Sequence, residues 1–491
     1  MFNSDARSGP TSKIVSGVFW SYLSFICGKG LSFVTTIILA RLLLPEEFGV
    51  MGYCLIIIQY LDIINSAGID GALISRRDHI EEAANAAFLG NIALGCVTFI
   101  ISWIAAPATA NFFKAPEVTL TLRVLALSLP ISGLGMVPDA LIQRSLRFRT
   151  KMIPEISRNL TKGLSSVILA LAGFGVWSLV WGQIIGGLTG TLLAWLLAGW
   201  KPTRRYNAEA TRSILKFGFN IIILDFAGAF RNNVDYILVG RILGASALGY
   251  YTMAYRIPEL FINSLNYVIG RVSFPALAAM QADHERMRSF YFTYIRYLST
   301  FIFPVGVGIA LTAPVFIPVF LSSTWNSAIA PTSLISMALT ISAIGFVPGI
   351  LYKAMGRPEI LNRLGLIKIS IAVAVLWYCT RWGIIGVAAG QITIGMISVT
   401  LDTLVANWIM HYQLWQLIKA ILPSFSASIV MGLSLIALNK IFTLNDMGGF
   451  LIMVIFGIVV YFATVFIISR STVTQGLAVL RQVLARPQIA S

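Results

Sequence analysis

Long apolar runs, broken by short polar punctuation, follow one another from one end of the chain to the other. With the residues that begin and end each run, the pattern predicts fourteen helices. They lie at 14–40, 49–74, 83–110, 118–142, 152–173, 175–199, 211–243, 246–277, 287–311, 325–354, 360–380, 383–408, 414–440 and 446–469. A helix needs ~20 apolar residues to cross the hydrocarbon layer, and these runs have that length. They are continuous rather than alternating, which excludes a transmembrane barrel. The turns at 173–175 and 380–383 are the tightest, and no loop has room for a separate soluble domain. The expected fold is all-α and polytopic, with any activity housed among the helices themselves.

Composition sharpens this. The chain is 57% hydrophobic and 11% charged, too few charges to coat a soluble core of 491 residues. The first helix is too long for the apolar core of a cleaved signal peptide and reads as a retained anchor. Cys27, Cys54, Cys96 and Cys379 all fall inside predicted spans without a CxxC pairing, so they read as buried small side chains. No cofactor or metal motif is present: His79, His284 and His411 are isolated, and there is neither a P-loop nor an HExxH.

The net charge of +16 is unevenly placed. The N-terminus and the loops after even-numbered helices carry most of it: Arg7 and Lys13; Arg76 and Arg77; Arg144, Arg147, Arg149 and Lys151; Lys201, Arg204, Arg205, Arg212 and Lys216; Arg271, Arg286 and Arg288; Lys353, Arg357 and Arg363; Lys419; and Arg470, Arg481 and Arg486. The loops after odd-numbered helices hold only Arg41, Lys114, Arg241, Arg381 and Lys440. Basic residues stay on the cytoplasmic side of short loops, so both termini are expected in the cytoplasm. Charge scattered over many short loops argues against a nucleic-acid partner and suits anionic lipid heads. In the tail, Leu477, Leu480 and Leu484 predict the apolar face of a short surface helix.

A phrase is also written twice. ILARLLLPEEFG at 38–49 resembles LVGRILGASALG at 238–249. Further pairs recur in the same order: VPDALIQRSLRFR at 137–149 with VPGILYKAMGRPE at 347–359, GVWSLVWGQ at 175–183 with GIIGVAAGQ at 383–391, and AP at 106–107 with AP at 313–314. Six helices separate the copies, so both face the same way across the membrane. The expected organisation is a first lobe at 1–200, a second lobe at 201–410 and an accessory region at 411–491 outside the repeat. Two parallel lobes around a cleft suit an alternating-access transporter; a duplicated scaffold is the bland counterpart.

Charges inside the spans carry the chemical signal, because they are costly in hydrocarbon unless they meet a partner, water or a ligand. The cations are Lys29, Arg158, Lys162, Arg231, Arg256, Arg296 and Lys368, with Arg123 nearer the outer surface. The acids are Asp62, Asp70, Asp139, Glu155, Asp225, Asp235, Glu259 and Asp402. Arg256, Glu259, Asn263 and Asn266 form a polar seam at helical spacing. The plain reading pairs Glu155 with Arg158, Arg231 with Asp235 and Arg256 with Glu259 as helix-holding ion pairs. The sharper reading is a basic cleft for an anionic substrate. Lys29, Lys162 and Lys368 favour it, since none has an acid one turn away on its own helix.

The segment TSKIVSGVFWSYLSFICGKGLSFVTTIILARLLLPEEFGVMGY resembles the N-terminal hallmark of the bacterial polysaccharide transporter (oligosaccharide flippase) family. That family belongs to the multidrug/oligosaccharidyl-lipid/polysaccharide exporter superfamily. GALISRRDHIEEAANAAF, PDALIQRSLRFR, GFGVWSLVWGQ and RNNVDYILVGRILGASALGYYTMAYRIPEL match later blocks, so the resemblance runs from about residue 12 to about residue 360. It implies twelve to fourteen helices in two six-helix lobes. It also implies a substrate of sugar repeat units on undecaprenyl pyrophosphate, turned from the inner to the outer leaflet of the inner membrane, with the polymerase and export machinery as further partners. On that reading Lys29, Arg231 and Arg256 contact the pyrophosphate, followed by Arg158, Lys162 and Lys368. Asn263 and neighbouring polar residues meet the sugars. Asp225, Asp235 and Asp402 are the candidates for H+ or Na+ coupling.

Other classes fit less well. A drug exporter of the same superfamily favours cationic substrates and therefore unpaired acids. A membrane glycosyltransferase or polymerase needs a sizeable outer loop with catalytic groups, and the outer loops here hold little beyond Glu46, Glu47 and Glu117. A scaffold or receptor of the export complex is the remaining alternative.

Overall fold

The structure of the protein is a computed structural model. It describes residues 10–66, 73, 80–203, 208–281 and 283–470, of which 10–19, 21–23, 208–221, 223–224, 267–269 and 271–272 are described as backbone alone. Arg7, Asp70, Arg76, Arg77, His79, Arg204, Arg205 and the predicted tail helix with Leu477, Leu480, Leu484, Arg481 and Arg486 lie outside the described residues, as do the side chains of Lys13, Arg212, Lys216 and Arg271.

Every regular element among the described residues is helical. Numbered by chain order, α1 is Pro10–Leu42, α2 Pro45–Ser66 and α3 Ile80–Phe113. The rod α4 runs as Glu117–Leu125 and Ser128–Arg144; α5 is Phe148–Leu171 and α6 Val176–Ala198. Next come α7 (Ala208–Leu243), α8 (Ala245–Ala279) and α9 (His284–Phe316). The rod α10 runs as Ile329–Ile344 and Phe346–Ala354. The last four are α11 (Glu359–Cys379), α12 (Gly383–Met410), α13 (Leu414–Phe442) and α14 (Met447–Ile468). Each predicted helix finds its counterpart. The sequence pattern misses the breaks in α4 and α10 and the wider turn Ile317–Leu321 that prolongs α9.

The ends have local causes. Pro45 opens α2 four residues ahead of the predicted start, with Glu46 and Glu47 in the first turn where the helix dipole favours acids. The Asp283 carboxylate accepts from Arg286 N at 3.0 Å and caps α9; the Asp446 carboxylate accepts from Gly449 N at 2.7 Å and caps α14. Among the described residues ten segments are long and apolar enough to cross a membrane, one of them the 52-residue stretch Glu359–Met410 that turns at Thr380–Trp382. The helices α5, α7 and α8 are not in that set. They are the ones that carry Arg158, Lys162, Arg231 and Arg256.

Contacts divide the chain into two compact units, Met1–Gly249 and Tyr250–Ser491. The boundary falls past residue 200 because α7 packs against α2 and α3. Asn233 donates to Gln59 Oε1 at 3.1 Å, and the buried Tyr53 hydroxyl donates to Gly240 O at 2.9 Å. The packing boundary and the repeat boundary are thus different quantities. The first unit also brings the twice-written phrase together: a Cβ at Gly49 would collide with the Ala245 carbonyl, and one at Gly249 with the Pro45 carbonyl. In the second unit α13 and α14 cover α9. Tyr461 donates to Thr300 O at 2.7 Å, and Ser424 Oγ lies 3.1 Å from Thr300 Oγ1.

Two turns repeat at backbone level. After α4, Leu146 adopts φ +56° and Arg147 N donates to Ile142 O at 3.4 Å; after α10, Gly356 adopts φ +69° and Arg357 N donates to Tyr352 O at 2.9 Å. Both are left-handed helix stops. Gly175 before α6 (φ +57°, ψ −133°) and Gly383 at the start of α12 (φ +65°, ψ −158°) share a conformation that only glycine adopts readily.

Candidate functional site

In the first unit the cations of α5 are set by a row of glycines on α6. A Cβ at Gly186 would stand 2.6 Å from Lys162 Cβ and 2.8 Å from Arg158 O, and one at Gly190 would stand 3.0 Å from Arg158 Nη2. The spacing Gly182, Gly186, Gly190 places one missing side chain per turn, so α5 lies directly on the α6 backbone. On the other side α1 approaches α5: a Cβ at Gly28 would lie 3.0 Å from Asn159 Nδ2.

The pairings expected from single-helix spacing do not form. Glu155 accepts from Ser24 Oγ on α1 at 2.6 Å, and no ion pair joins it to Arg158. Arg158 is exposed and has no carboxylate within ion-pair distance among the described residues. Arg231 is likewise exposed and is not paired with Asp235, whose buried Oδ1 accepts from Tyr236 N at 3.0 Å. Lys29 is exposed beside the Phe25 ring, 6.0 Å from its centroid. Asp225 is exposed, and Lys162 is half-buried. Side chains three and four apart on a helix can meet, but rotamers toward a neighbouring helix or toward water compete with that contact.

In the second unit the seam on α8 presents Glu259 and Asn263 exposed, Arg256 half-buried and Asn266 buried. No ion pair joins Arg256 to Glu259 among the described residues. Lys368 differs from the other lysines. Its Nζ lies 2.5 Å from Asp402 Oδ1 on α12, with side chains 20% and 6% exposed. The acid absent from its own helix comes from the next one, which corrects its reading as an unpartnered ammonium. Tyr352 donates to Asp402 O at 2.7 Å, and the missing side chain at Gly345 leaves room for Asp402 Oδ2. Tyr412, in the turn between α12 and α13, donates to Thr403 O at 3.1 Å, and burial pushes its hydroxyl pKa up.

Sequence reasoning missed one cluster, formed by Asn65 on α2, Asn91 on α3 and Ser132 on α4 next to Asp62. Asn65 donates to Leu129 O and to Ser132 Oγ, both at 3.0 Å. Neutral amides inside apolar runs were the available signal.

Ten apolar segments of spanning length among the described residues define a class, the multi-pass membrane proteins. A solved structure described as the lipid II flippase MurJ in an inward closed conformation has the same fold, with a TM-score of 0.72 over 94% of this chain and all of that one, at 15% identity. Residues 38–330 match the family of polysaccharide biosynthesis proteins, and the chain belongs to it. The lipopolysaccharide biosynthesis protein WzxC of Escherichia coli is 25% identical over 79% of this chain and 80% of its own length. The succinoglycan biosynthesis transport protein ExoT of Rhizobium meliloti is 27% identical over 74% of this chain and 77% of its own length. The ExoT description is that of a transport protein, and the chain is a multi-pass membrane protein of polysaccharide biosynthesis.

Proposed function

We propose that the chain is a flippase that carries undecaprenyl-pyrophosphate-linked oligosaccharide repeat units from the inner to the outer leaflet of the bacterial inner membrane, with both termini in the cytoplasm. The observation that carries this reading is the exposure of Lys29, on a helix apolar enough to cross the membrane, and of Arg158 and Arg231 on α5 and α7, with no carboxylate paired to them among the described residues. A charge at mid-span costs about 3 kcal/mol in hydrocarbon, so exposed cations there select water or an anion over lipid. A pyrophosphate supplies that anion, and the planar guanidinium fork suits its oxygens.

Lys29, Arg231 and Arg256 make the first contacts, Arg158 and Lys162 the next, and Asn263 lines the path of the sugars. Lys368 joins the site only in a state where its bond to Asp402 opens. Residues 1–200 and 201–410 are the duplicated lobes of an alternating-access transporter, and 411–491 is accessory; the matching turns after α4 and α10 and at the starts of α6 and α12 support the duplication. Asp225, Asp235 and Asp402 are the coupling candidates for H+ or Na+. The unit delivered outside is passed to the polymerase and export machinery.

The test is a cell lacking the protein. Inward-facing, sugar-loaded undecaprenyl pyrophosphate should accumulate there. Lys29→Ala and Arg256→Ala should fail to restore polymer export while present in the membrane at wild-type amounts. Normal export from both variants refutes the site.

A further inference from the structure

The first unit contains a buried polar centre that the transport reading leaves unused. It lies where α2, α3 and α4 meet. Asn65 and Asn91 are fully buried. Asn65 uses both hydrogens of its amide on Leu129 O and Ser132 Oγ, while its Oδ1 has no partner. Asn91 has no partner at either amide atom. Leaving such groups unsatisfied in an apolar interior is costly, and native structures rarely do so without a bound water or ion.

Missing side chains let the helix backbones close on one another at the same point. A Cβ at Gly95, one turn beyond Asn91, would lie 3.4 Å from Asn65 Oδ1. A Cβ at Gly133 would lie 2.7 Å from Asn91 O and 3.5 Å from Asn65 Oδ1. Two glycines on two helices therefore flank the free amide oxygen. Asp62, one turn before Asn65, faces the Ser132 hydroxyl and brings a single carboxylate to the edge of this centre.

We propose that Asp62, Asn65 and Asn91 form a site for a monovalent cation of the sodium class. The oxygen inventory decides the ligand. Amide, hydroxyl and carboxylate oxygens suit a hard cation rather than a transition metal. One carboxylate balances one positive charge, and no group of three or more His, Cys, Asp or Glu gathers among the described residues to hold a divalent ion. The inference deepens the transport reading, because a cation held in the first unit is a place where an ion gradient acts on α2–α4. It is distinct from the coupling candidates Asp225, Asp235 and Asp402.

The experiment needs no lipid-linked substrate, so its outcome is independent of the flippase assignment. Purified full-length protein in nanodiscs is melted in sodium, potassium or choline chloride at constant ionic strength, with tryptophan fluorescence as the readout. Sodium or potassium is expected to raise the wild-type midpoint over choline by about 2–5 °C, saturating with concentration. Asp62→Asn and Asn91→Leu should each abolish the increment, and Asp283→Asn, at the cap of α9, should keep it. Where Asp62→Asn fails to give a monodisperse protein, Asn91→Ser and Gly133→Ala serve instead and should also lose it. An equal midpoint in all three salts overturns the proposal. So does a response to pH alone, which reports protonation, or a response lost in Asp402→Asn and kept in Asp62→Asn, which places the ion in the second unit.

Discussion

The hairpins α5–α6 and α11–α12 occupy matching places in the sequence repeat, yet they treat charge in opposite ways. In the first, Arg158 and Lys162 lie against Gly186 and Gly190, and α6 carries no acid at all. In the second, α12 offers Asp402 and Lys368 closes on it at 2.5 Å. Both arrangements put cations inside a membrane protein. The first leaves Arg158 exposed with no ion pair among the described residues, whereas the second has neutralised Lys368. A cation count alone therefore does not locate a binding surface; the acid content of the neighbouring helix decides which cations are available.

Breaking the closed pair should have the largest effect. Asp402→Asn leaves the Lys368 ammonium without its counter-charge and is expected to cost about 3–5 kcal/mol. This reads out as a lowered melting midpoint in nanodiscs. The double variant Lys368→Met, Asp402→Leu should recover most of that loss, since an apolar pair replaces a buried ion pair at little cost. Wedging the open hairpin comes next. Gly190→Val drives a branched side chain into Arg158, and overpacking of this kind costs about 1–3 kcal/mol, measurable in the same melt. Removing the open cation should have the smallest effect on stability and a large one on transport. Arg158→Ala should move the unfolding free energy by less than about 0.5 kcal/mol. Polymer export should nevertheless fall about tenfold to a hundredfold, the loss of one charge-assisted contact. A destabilised Arg158→Ala with normal export would remove the distinction between the two hairpins.

The fold was largely legible because hydrophobic length is a strong signal. Every predicted helix has its counterpart, including α5, α7 and α8, whose charges keep them outside a simple criterion of length and apolarity. The break near Ala126 in α4 and the one at Gly345 in α10 were not legible, because neither leaves an apolar run interrupted. The open cations Lys29, Arg158 and Arg231 could be found from their residue type alone. The pairings of the other charges could not. The acid for Lys368 sits 34 positions away, and Glu155 turned to Ser24, 131 positions earlier, rather than to Arg158 one turn on. Asn65 and Asn91 escaped notice for a different reason: an uncharged amide in a helix has an ordinary bland explanation until its hydrogen bonds are counted.

The joint between Gly49 and Gly249 has a consequence for heredity as well as for packing. Each glycine rests on the carbonyl that stands four residues ahead of its counterpart, Pro45 in one case and Ala245 in the other. One bare surface thus meets its own copy, and a methyl group on either side spoils the seat for both. Two codons far apart in the gene are bound by one steric condition, so neither position should tolerate a side chain.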